Sequence, residues 1–429
     1  MPQKKSLVAL AKGEDIQANV TKVFDLMGGV TNMIAKGETV ILKPNAGHAA
    51  PPESAVCTNP EVVRAVIREV RKAEPGRIII AESAAIGCDT GECYEACGVK
   101  AVADEEGIEL LDIKKDKDLI TIPVRGAHSN IKKVKIPRIL LEADHIINLP
   151  ILKAHASMVF SCALKNIKGT VQDRVHMDMH KENLTMSMMD VWYAVRPDIN
   201  IVDAIYAAGG FSPHTPVPRY IGCILGSYDP VAVDRIACDL VGIDPDGVDY
   251  FHVAEEVGMG NCRPENIKVV GEKVEDCFTK LWVPYTEKIE SRWPEYDIRC
   301  KGACSSCQAL LTLSMETLRA IGEYDRCSKN TVLVVGGDNV IPEDLEGKQL
   351  VLQGNCTRKY LKDHPDALWI KGCPPGEACV YVTIKEGKLY DAQTDESVTF
   401  LRGQMAENQP VWKTYVEAEA EKFYEKIDN

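Results

Sequence analysis

The sequence predicts an α/β protein in which an N-terminal domain with a mostly parallel sheet precedes a second, smaller α/β domain. Through Gly271, short runs rich in β-branched residues alternate with helical stretches, as in a chain of βα units. The alternation resumes after 280–298, a segment with two tryptophans, two prolines and little periodicity. A chain of 429 residues is also longer than one hydrophobic core usually serves, so more than one domain is expected.

In the first domain, capping residues mark where helices begin. Asn59 as N-cap and Pro60 at the first helical position predict a helix whose apolar residues share one face. Asp229 followed by Pro230 predicts a second helix in the same way. The strands expected in this domain are, in chain order, 39–43, 77–81, 145–148, 199–202, 221–225 and 267–270.

The second domain is expected to contain one helix and three strands, followed by a charged helical tail. The predicted helix and strands are 305–321, 332–335, 349–352 and 368–370. The predicted division of the chain is a first domain at 1–275, a connecting arm at 276–298, a cysteine-rich domain at 299–395 and a helical tail at 396–429.

The composition argues against several classes of protein. Lys and Arg number 50 against 63 Asp and Glu, and this net charge of −13 argues against nucleic-acid binding through bulk charge. No apolar run approaches the roughly 20 residues that a membrane helix needs, and the first residues do not resemble a signal peptide. We therefore expect a cytoplasmic protein with neither a nucleic-acid nor a membrane partner.

Five of the sixteen cysteines are grouped in the second domain. Cys300, Cys304 and Cys307 form a C-x3-C-x2-C run, while Cys356 and Cys373 each follow a predicted strand. If those strands are parallel neighbours, the cysteine-bearing turns meet along one edge of the sheet, where backbone N–H groups stabilise thiolates. Such a set is typical of an iron–sulfur cluster. The predicted ligands of a [4Fe-4S] cluster are Cys304, Cys307, Cys356 and Cys373, with Cys300 as a spare ligand.

Two alternatives stay open for these thiols. Zinc also binds sets of four cysteines, although zinc sites usually come as two C-x2-C pairs, and a set of thiols without any metal is the other alternative. A further group, Cys88, Cys93 and Cys97, lies on a predicted loop and short helix at 87–98. These three thiols are interpreted either as small packing residues or as a second metal or redox site. The other cysteines are scattered and are interpreted as core residues.

Polar residues in the first domain predict a site for a small anion. Several of them follow predicted strands, and open α/β sheets bind ligands at strand ends. Residues 153–181 also concentrate lysines and an arginine within an acidic chain, which favours a carboxylate or phosphate ligand. The predicted substrate-binding residues are Lys43, Asn45, Glu82, Lys153, Asn166 and Lys168. The predicted catalytic residues are His155 as general acid or base, Lys165, Asp203 and Asp234.

Simpler interpretations exist for several residues of this region. Lysines beside an apolar helix are usually solvated, and a buried histidine is more often structural than catalytic. His176 and His180 have the i, i+4 spacing of a chelating pair, but no third ligand is evident in the sequence.

Five segments, in the order in which they occur, resemble one known family. They are Lys43-Pro44-Asn45, Leu152-Lys153-Ala154-His155, Leu164-Lys165-Asn166-Ile167-Lys168-Gly169, Val202-Asp203 and Asp229-Pro230-Val231-Ala232-Val233-Asp234. Over 5–272 the chain resembles the prokaryotic family called domain of unknown function 362. The resemblance implies a link to iron–sulfur modules and to anaerobes. Family members often carry ferredoxin-type inserts, whereas the cysteines here are dispersed in a C-terminal α/β unit, which favours a single cluster.

These expectations together describe an iron–sulfur-dependent oxidoreductase that acts on a small anionic substrate, with a redox protein as a further expected partner. One alternative is a non-catalytic electron-transfer or metal-delivery module that docks a partner protein. Another is a lyase or isomerase in which the cluster acts as a Lewis acid. Five nearby cysteines favour redox chemistry, because they leave no iron open.

Overall fold

The computed structural model describes residues 5–124, 128–181, 183–284, 289–390 and 395–428, without the side chains of 377 and 395–402. The described chain confirms the α/β fold class and divides into two compact units. The first unit consists of Met1–Ala154, Phe160–Met179 and Thr185–Leu281. The second unit consists of His155–Val159, His180–Leu184 and Trp282–Asn429.

The two units differ from the predicted division of the chain. The predicted connecting arm is split after Leu281, and its residues 285–288 lie outside the described residues. Two short segments of the N-terminal half, His155–Val159 and His180–Leu184, belong to the second unit. The predicted division assigned continuous ranges to each domain, so it could not place two short segments of the N-terminal half in the second unit. At the end of the predicted cysteine-rich domain, 391–394 also lie outside the described residues.

A mostly parallel sheet organises the described part of the first unit. Up to Gly271 the strands are β1 (Ser6–Lys12), β2 (Thr39–Pro44), β3 (Arg77–Glu82), β4 (Glu109–Asp112), β5 (Leu119–Pro123), β6 (Lys133–Pro137), β7 (His145–Leu149), β8 (Ile151–His155), β9 (Val159–Ser161), β10 (Ile199–Phe211), β11 (Thr215–Ser227) and β12 (Ile267–Gly271). The sheet has the order β12-β1-β11-β10-β7-β2-β3-β4, with β8 paired to β10 and β9 to β8. Strand β11 is antiparallel to β1 and β10, whereas β7, β2, β3 and β4 run parallel to one another. Strands β5 and β6 form a separate antiparallel pair.

Helices connect these strands, as the alternating pattern predicts. They are α1 (Ile16–Leu26), α2 (Val30–Met33), α3 (Pro60–Arg71), α4 (Thr90–Ala96), α5 (Val99–Glu106), α6 (Ile139–Glu142), α7 (Ala163–Asn166), α8 (Asp173–Lys181), α9 (Leu184–Val195), α10 (Pro230–Val241), α11 (Asp249–Glu256) and α12 (Val274–Cys277). Both predicted caps are confirmed. The side chain of Asn59 accepts a hydrogen bond from the N–H of Glu61, and that of Asp229 accepts from Val231 and Ala232.

The main core of the first unit forms where α1, α3 and α5 pack on the sheet. All five apolar residues predicted to share one face of α3 are fully buried, namely Val62, Val63, Val66, Ile67 and Val70. Burial of a side chain of this size contributes about 1.5–3 kcal/mol. The apolar face of α3, and not its intrinsic helix propensity, therefore holds this helix in place.

The hairpin of β10 and β11 is much longer than the sequence predicts. The predicted strands end at Val202 and begin at Ile221, but pairing continues to Phe211 and Thr215. Small residues and prolines fill the added part, so that it resembles a loop in sequence. The pairing register shifts between Ala204 and Tyr206, which lets the ladder continue beyond the predicted end.

The described part of the second unit contains a four-stranded parallel sheet. Its strands, paired in chain order, are β13 (Asp297–Arg299), β14 (Thr331–Val335), β15 (Gln349–Gln353) and β16 (Leu368–Ile370). Its helices are α13 (Ile289–Arg292), α14 (Ser305–Ala320), α15 (Glu377–Glu386) and α16 (Asp395–Asp428). The three strands and the helix predicted for this domain are confirmed. Within the described ranges, no helix combines the length and apolar character needed to cross a membrane.

A buried ion pair joins the carboxyl ends of β2 and β3. Lys43 Nζ donates to Glu82 Oε2 at 2.8 Å, and the side chains are 0% and 2% exposed. The segment after α7 passes directly over this pair, because a Cβ built on Gly169 would stand 1.6 Å from Glu82 Oε1. The N–H of Ser83 donates to the Gly169 carbonyl oxygen at 2.9 Å and holds the segment there. Only glycine therefore fits at position 169.

The substitution Gly169→Ala should lower the free energy of unfolding by roughly 3–5 kcal/mol, because the added methyl group forces apart a buried ion pair. Chemical denaturation followed by circular dichroism measures this change. Gly247→Ala is the matched control, since nothing lies within 4 Å of a Cβ built there, and should change the free energy by less than about 0.5 kcal/mol. A G169A protein as stable as the wild type would refute this account of the close approach.

Candidate functional site

Three hydrogen-bond donors converge on the carboxylate of Glu82 in the first unit. Oε2 accepts from Lys43 Nζ at 2.8 Å and from the N–H of Ala46 at 3.0 Å, and Oε1 accepts from the N–H of Ser83 at 2.8 Å. Burial raises the pKa of Glu82, an effect that Lys43 and the two backbone donors oppose. Burial also lowers the pKa of Lys43, against the attraction of Glu82. Because all three donors bond to the carboxylate oxygens, these hydrogen bonds stabilise the ionised form of Glu82.

Lys153 brings a second buried amine close to Glu82. Its side chain lies in β8, is 3% exposed, and donates from Nζ to the carbonyl oxygen of Val56. Burial lowers the pKa of Lys153 to about 8, although the charges of Cys57 and Glu82 oppose this shift. Glu82 thus forms an ion pair with Lys43 and attracts Lys153 electrostatically. We call Lys43, Glu82, Lys153 and Gly169 the Glu82 site.

Lys168 stands next to Gly169 in the turn that covers the Glu82 site. Its side chain is half-buried, and desolvation lowers its pKa to about 8. The ring of His176 donates from Nε2 to the carbonyl oxygen of Lys168, and burial lowers the pKa of His176 to about 4. His176 therefore secures the turn. Lys165, one helical turn earlier in the chain, is also half-buried.

A chain of buried asparagines fixes the segment that carries these lysines. Asn166 donates to the carbonyl oxygen of Lys43 at 3.2 Å and to Asn148 Oδ1 at 2.8 Å. Asn148 donates in turn to Asn200 Oδ1 at 3.0 Å, and Asn200 donates to the Ser227 carbonyl oxygen at 3.2 Å. The amide of Asn166 is thus used for positioning. Asn148 and Asn200 are not among the predicted site residues, although an asparagine inside each of two apolar strands is a signal visible in the sequence.

Asp234 holds the start of α7. Its carboxylate is fully buried and accepts from the N–H groups of Ala163 at 2.7 Å and Leu164 at 3.0 Å, and from the Tyr250 hydroxyl at 3.2 Å. Burial raises the pKa of Asp234 to about 7, against these hydrogen bonds. Asp234 is therefore placed to position the helix that contains Lys165.

Asp203 does not lie at the end of a strand, so that part of the prediction is wrong. It lies within β10, which continues beyond it through the register shift after Ala204. Its carboxylate accepts from the N–H of Asn59 at 2.7 Å and of Ile205 at 3.0 Å. Burial raises the pKa of Asp203 to about 6. These contacts connect β10 to the start of α3.

The remaining predicted residues of the first domain are separated by the division into units. Asn45 is half-buried, and its N–H donates to Thr58 Oγ1 at 2.8 Å. His155 belongs to the second unit, whereas Lys153 belongs to the first. The His155 ring is 9% exposed, and its Nδ1 accepts from the N–H of Ser157 at 3.1 Å. The neutral ring therefore carries its proton on Nε2.

In the second unit, the predicted cluster cysteines occupy turns at the same edge of the parallel sheet. Cys304 is the N-cap of α14, and Cys307 lies in its first turn. Cys356 lies in a short 3-10 helix directly after β15, and Cys373 follows β16. We call Cys304, Cys307, Cys356 and Cys373 the four-cysteine group.

Backbone hydrogen bonds tie these turns to one another. The N–H of Asn355 donates to the Gly372 carbonyl oxygen at 2.9 Å, and the N–H of Gly372 donates back to Asn355 Oδ1 at 2.9 Å. The Gln353 side chain donates to the Cys307 carbonyl oxygen at 2.8 Å. All three cysteine-bearing turns are therefore connected within the second unit.

The sulfurs of the four-cysteine group interact with each other. A hydrogen bond with Cys304, burial and repulsion by the other thiols of the group raise the pKa of Cys307. Burial and the charge of Cys304 raise the pKa of Cys356, against a hydrogen bond from the N–H of Gly336. A Cβ built on Gly354, whose φ is 94°, would stand 3.4 Å from Cys307 Sγ and 3.8 Å from Cys356 Sγ. Glycine therefore leaves space open beside two of the sulfurs.

Cys300, the predicted spare ligand, has different surroundings. Its N–H donates to Glu290 Oε1 at 3.2 Å, and burial together with the charge of Glu290 raises the pKa of its thiol to about 12. All sixteen cysteines lie in the described ranges, and no disulfide joins any of them. Across the described residues, no group of three or more His, Cys, Asp or Glu side chains is arranged to hold a metal ion.

Comparison with known proteins gives one family and one curated relative. Residues 40–239 match the family model described as Domain of unknown function (DUF362), a narrower range than the 5–272 of the resemblance in sequence. A thylakoid-associated protein of Synechocystis sp. is 28% identical over 259 residues, which make up 58% of this chain and 77% of that protein.

Two solved structures are similar over part of their length. A protein from Thermotoga maritima matches with a TM-score of 0.34 and 15% identity over 54% of this chain and 60% of its own. The lactate racemase apoprotein from Thermoanaerobacterium thermosaccharolyticum matches with a TM-score of 0.31 and 14% identity over 54% and 58%. The chain thus spans less than two thirds of either structure. Residues 40–239, the range that matches the DUF362 family model, contain the whole Glu82 site.

Proposed function

We propose that this protein is an iron–sulfur redox enzyme that acts on a small anionic substrate. In this proposal Cys304, Cys307, Cys356 and Cys373 hold a [4Fe-4S] cluster, and lysines of the first unit hold the substrate. The observation that carries the proposal is the convergence of four interacting thiols on connected turns of a parallel sheet.

The four-cysteine group fits such a cluster in its donors and in its backbone. Four thiolates are the usual ligand set of [4Fe-4S] clusters, whose sulfurs also accept hydrogen bonds from backbone N–H groups. Gly336 supplies such a donor to Cys356, and Gly354 leaves room beside Cys307 and Cys356. Zinc sites of four cysteines usually come as two C-x2-C pairs, whereas Cys356 and Cys373 are isolated on separate turns, which favours the cluster over zinc. When bound, the cluster supplies one-electron transfer.

The surroundings of Cys300 favour redox chemistry over Lewis-acid chemistry. Cys300 lies beside Glu290, which leaves the four other cysteines as one ligand for each iron. An iron that already has a protein ligand offers no open position to a substrate. We therefore prefer electron transfer to dehydration or isomerisation.

The Glu82 site supports binding of an anion through its excess of positive charge. Lys43 forms an ion pair with Glu82, and the charge of Glu82 also attracts Lys153. Burial holds the pKa values of Lys153 and Lys168 at about 8, so each ammonium group is destabilised relative to water. A bound carboxylate or phosphate would stabilise both charges. These lysines would then attract an anion although the chain as a whole carries a net charge of −13.

The other residues of the first unit serve this site by position. Asp234 and Asn166 hold the segment that carries Lys165 and Lys168. Sixteen cysteines without a disulfide among them suit a reducing compartment such as the cytoplasm.

Cys356→Ser should abolish the visible absorption and the low-temperature paramagnetic resonance signal of the anaerobically purified protein, with loss of iron and acid-labile sulfide. Cys300→Ser is the matched control and should retain all three, because its thiol lies by Glu290 and not with the four-cysteine group. Iron-free wild-type protein containing stoichiometric zinc would contradict the proposed cluster. Loss of the cluster in C300S would place Cys300 among the ligands.

The affinity for inorganic phosphate or succinate should fall as the pH rises above 8. Lys153 and Lys168 bind an anion in their protonated form, and that form is lost as the pH passes their pKa of about 8. Each lysine that must take up a proton costs up to about tenfold in affinity per pH unit. Isothermal titration in buffers of different ionisation enthalpy measures both the affinity and the proton uptake.

Lys168→Met should weaken this binding and reduce the proton uptake at pH 9. Lys100→Met is its matched control, because Lys100 is an exposed residue paired with Asp104, and should change neither quantity. If the cluster is present but neither anion binds the wild type at any pH, the non-catalytic electron-transfer function becomes the better account.

A further inference from the structure

The first unit contains a separate set of thiols. Cys88 and Cys93 are hydrogen-bonded to each other through their side chains, and so are Cys57 and Cys97. Cys88 lies in the loop after β3, Cys93 lies in α4, and Cys97 caps that helix. Cys57, interpreted from the sequence as a core residue, is indeed buried but contacts Cys97. The four sulfurs thus form two neighbouring pairs.

Cys88 differs from the other three thiols in its exposure. It is half-buried, whereas Cys57, Cys93 and Cys97 are buried. A reagent from solution therefore reaches the set through Cys88.

Polar groups around Cys88 favour its thiolate. Its sulfur is hydrogen-bonded with Cys93 and with the ring of His48, and these contacts, with the charge of Lys114, lower its pKa to about 4. Lys114 Nζ also donates to the carbonyl oxygens of Ala85 at 2.8 Å and Cys88 at 2.9 Å, which fixes the loop. These contacts therefore favour the thiolate form of Cys88 and fix the position of its loop, while its sulfur remains accessible to solvent.

Cys93 supplies the second member of a reactive pair. It is 0% exposed, and the hydrogen bond to Cys88, burial and the charge of Cys88 raise its pKa. A charged, accessible sulfur next to a protonated, buried one is the arrangement in which the first attacks and the second resolves.

We propose that Cys88 and Cys93 form a redox-active dithiol that reduces low-molecular-weight organic disulfides. Cys88 is the attacking sulfur and Cys93 the resolving sulfur. A small disulfide is favoured over a protein disulfide because Cys88 is itself half-buried in a loop fixed by Lys114. The proposal stands independently of the cluster and of the Glu82 site.

The reaction balances in two exchanges. The Cys88 thiolate attacks one sulfur of the disulfide RSSR, so that a Cys88–SR bond forms while the S–S bond of RSSR breaks and RS⁻ leaves. Cys93 loses its proton to this RS⁻, which becomes RSH, and attacks the sulfur of Cys88. The Cys88–Cys93 bond forms and a second RS⁻ leaves. The two thiols lose two electrons and RSSR gains them.

Peptide mapping of the full-length protein tests this proposal with oxidised glutathione as the probe. Trypsin releases 78–100 as one peptide containing Cys88, Cys93 and Cys97, because no Lys or Arg interrupts it, whereas Cys57 lies on another peptide. After reduction, exposure to oxidised glutathione and alkylation of the remaining thiols, this peptide should have lost two hydrogen atoms. Fragmentation should place the new bond between Cys88 and Cys93.

Two variants and one control separate the roles of the sulfurs. Cys93→Ser should accumulate one glutathione on Cys88, and Cys88→Ser should show neither the adduct nor the new bond. Cys97→Ser is the matched control and should still form the Cys88–Cys93 bond. A Cys93–Cys97 bond, a bond joining the 78–100 peptide to the Cys57 peptide, or no oxidation in the wild type would each overturn the proposal. The peptide map of the wild-type protein tests the proposal even if a variant fails to fold.

Discussion

The carboxylate of Glu82 is the constraint on which much of the first unit depends. Removing a charged pair from water costs several kcal/mol for each ion, so the pair persists only where its remaining hydrogen-bonding atoms are satisfied. Lys43 and the N–H groups of Ala46 and Ser83 satisfy it here. Because these donors come from β2 and from the loops after β2 and β3, one buried charge sets the positions of several chain segments. The same requirement leaves no room for a side chain at Gly169.

Other buried polar groups of the first unit also fix the positions of chain segments. Asp234 holds the start of α7 through two backbone N–H groups, and the asparagine chain through Asn148 and Asn200 holds its end. Such groups add little net stability when fully paired, and they are costly when a partner is missing. Their effect is to select one position for the segment that carries Lys165 and Lys168. Rigid placement of this kind is what a recognition site for a small anion requires.

Local signals in the sequence predicted the parts of the fold that local chemistry determines. The start of α3 at Asn59 and Pro60 was predictable because the cap and its partner are two residues apart. The pairing of Lys43 with Glu82 was not, because it depends on two strands becoming neighbours across the sheet. The length of β10 was also missed, since pairing with β11 overrides a weak local preference for strand.

The second unit is discontinuous, and this bears on how such a protein evolves. The turn at Cys373 has its backbone groups hydrogen-bonded to His180 and Leu184, at 2.9 Å and 3.1 Å, although these residues are distant in the chain. A gene fragment that encodes everything from Trp282 onward would lack both partners. Transfer of that fragment alone to another protein would therefore leave the Cys373 turn without these two backbone hydrogen bonds.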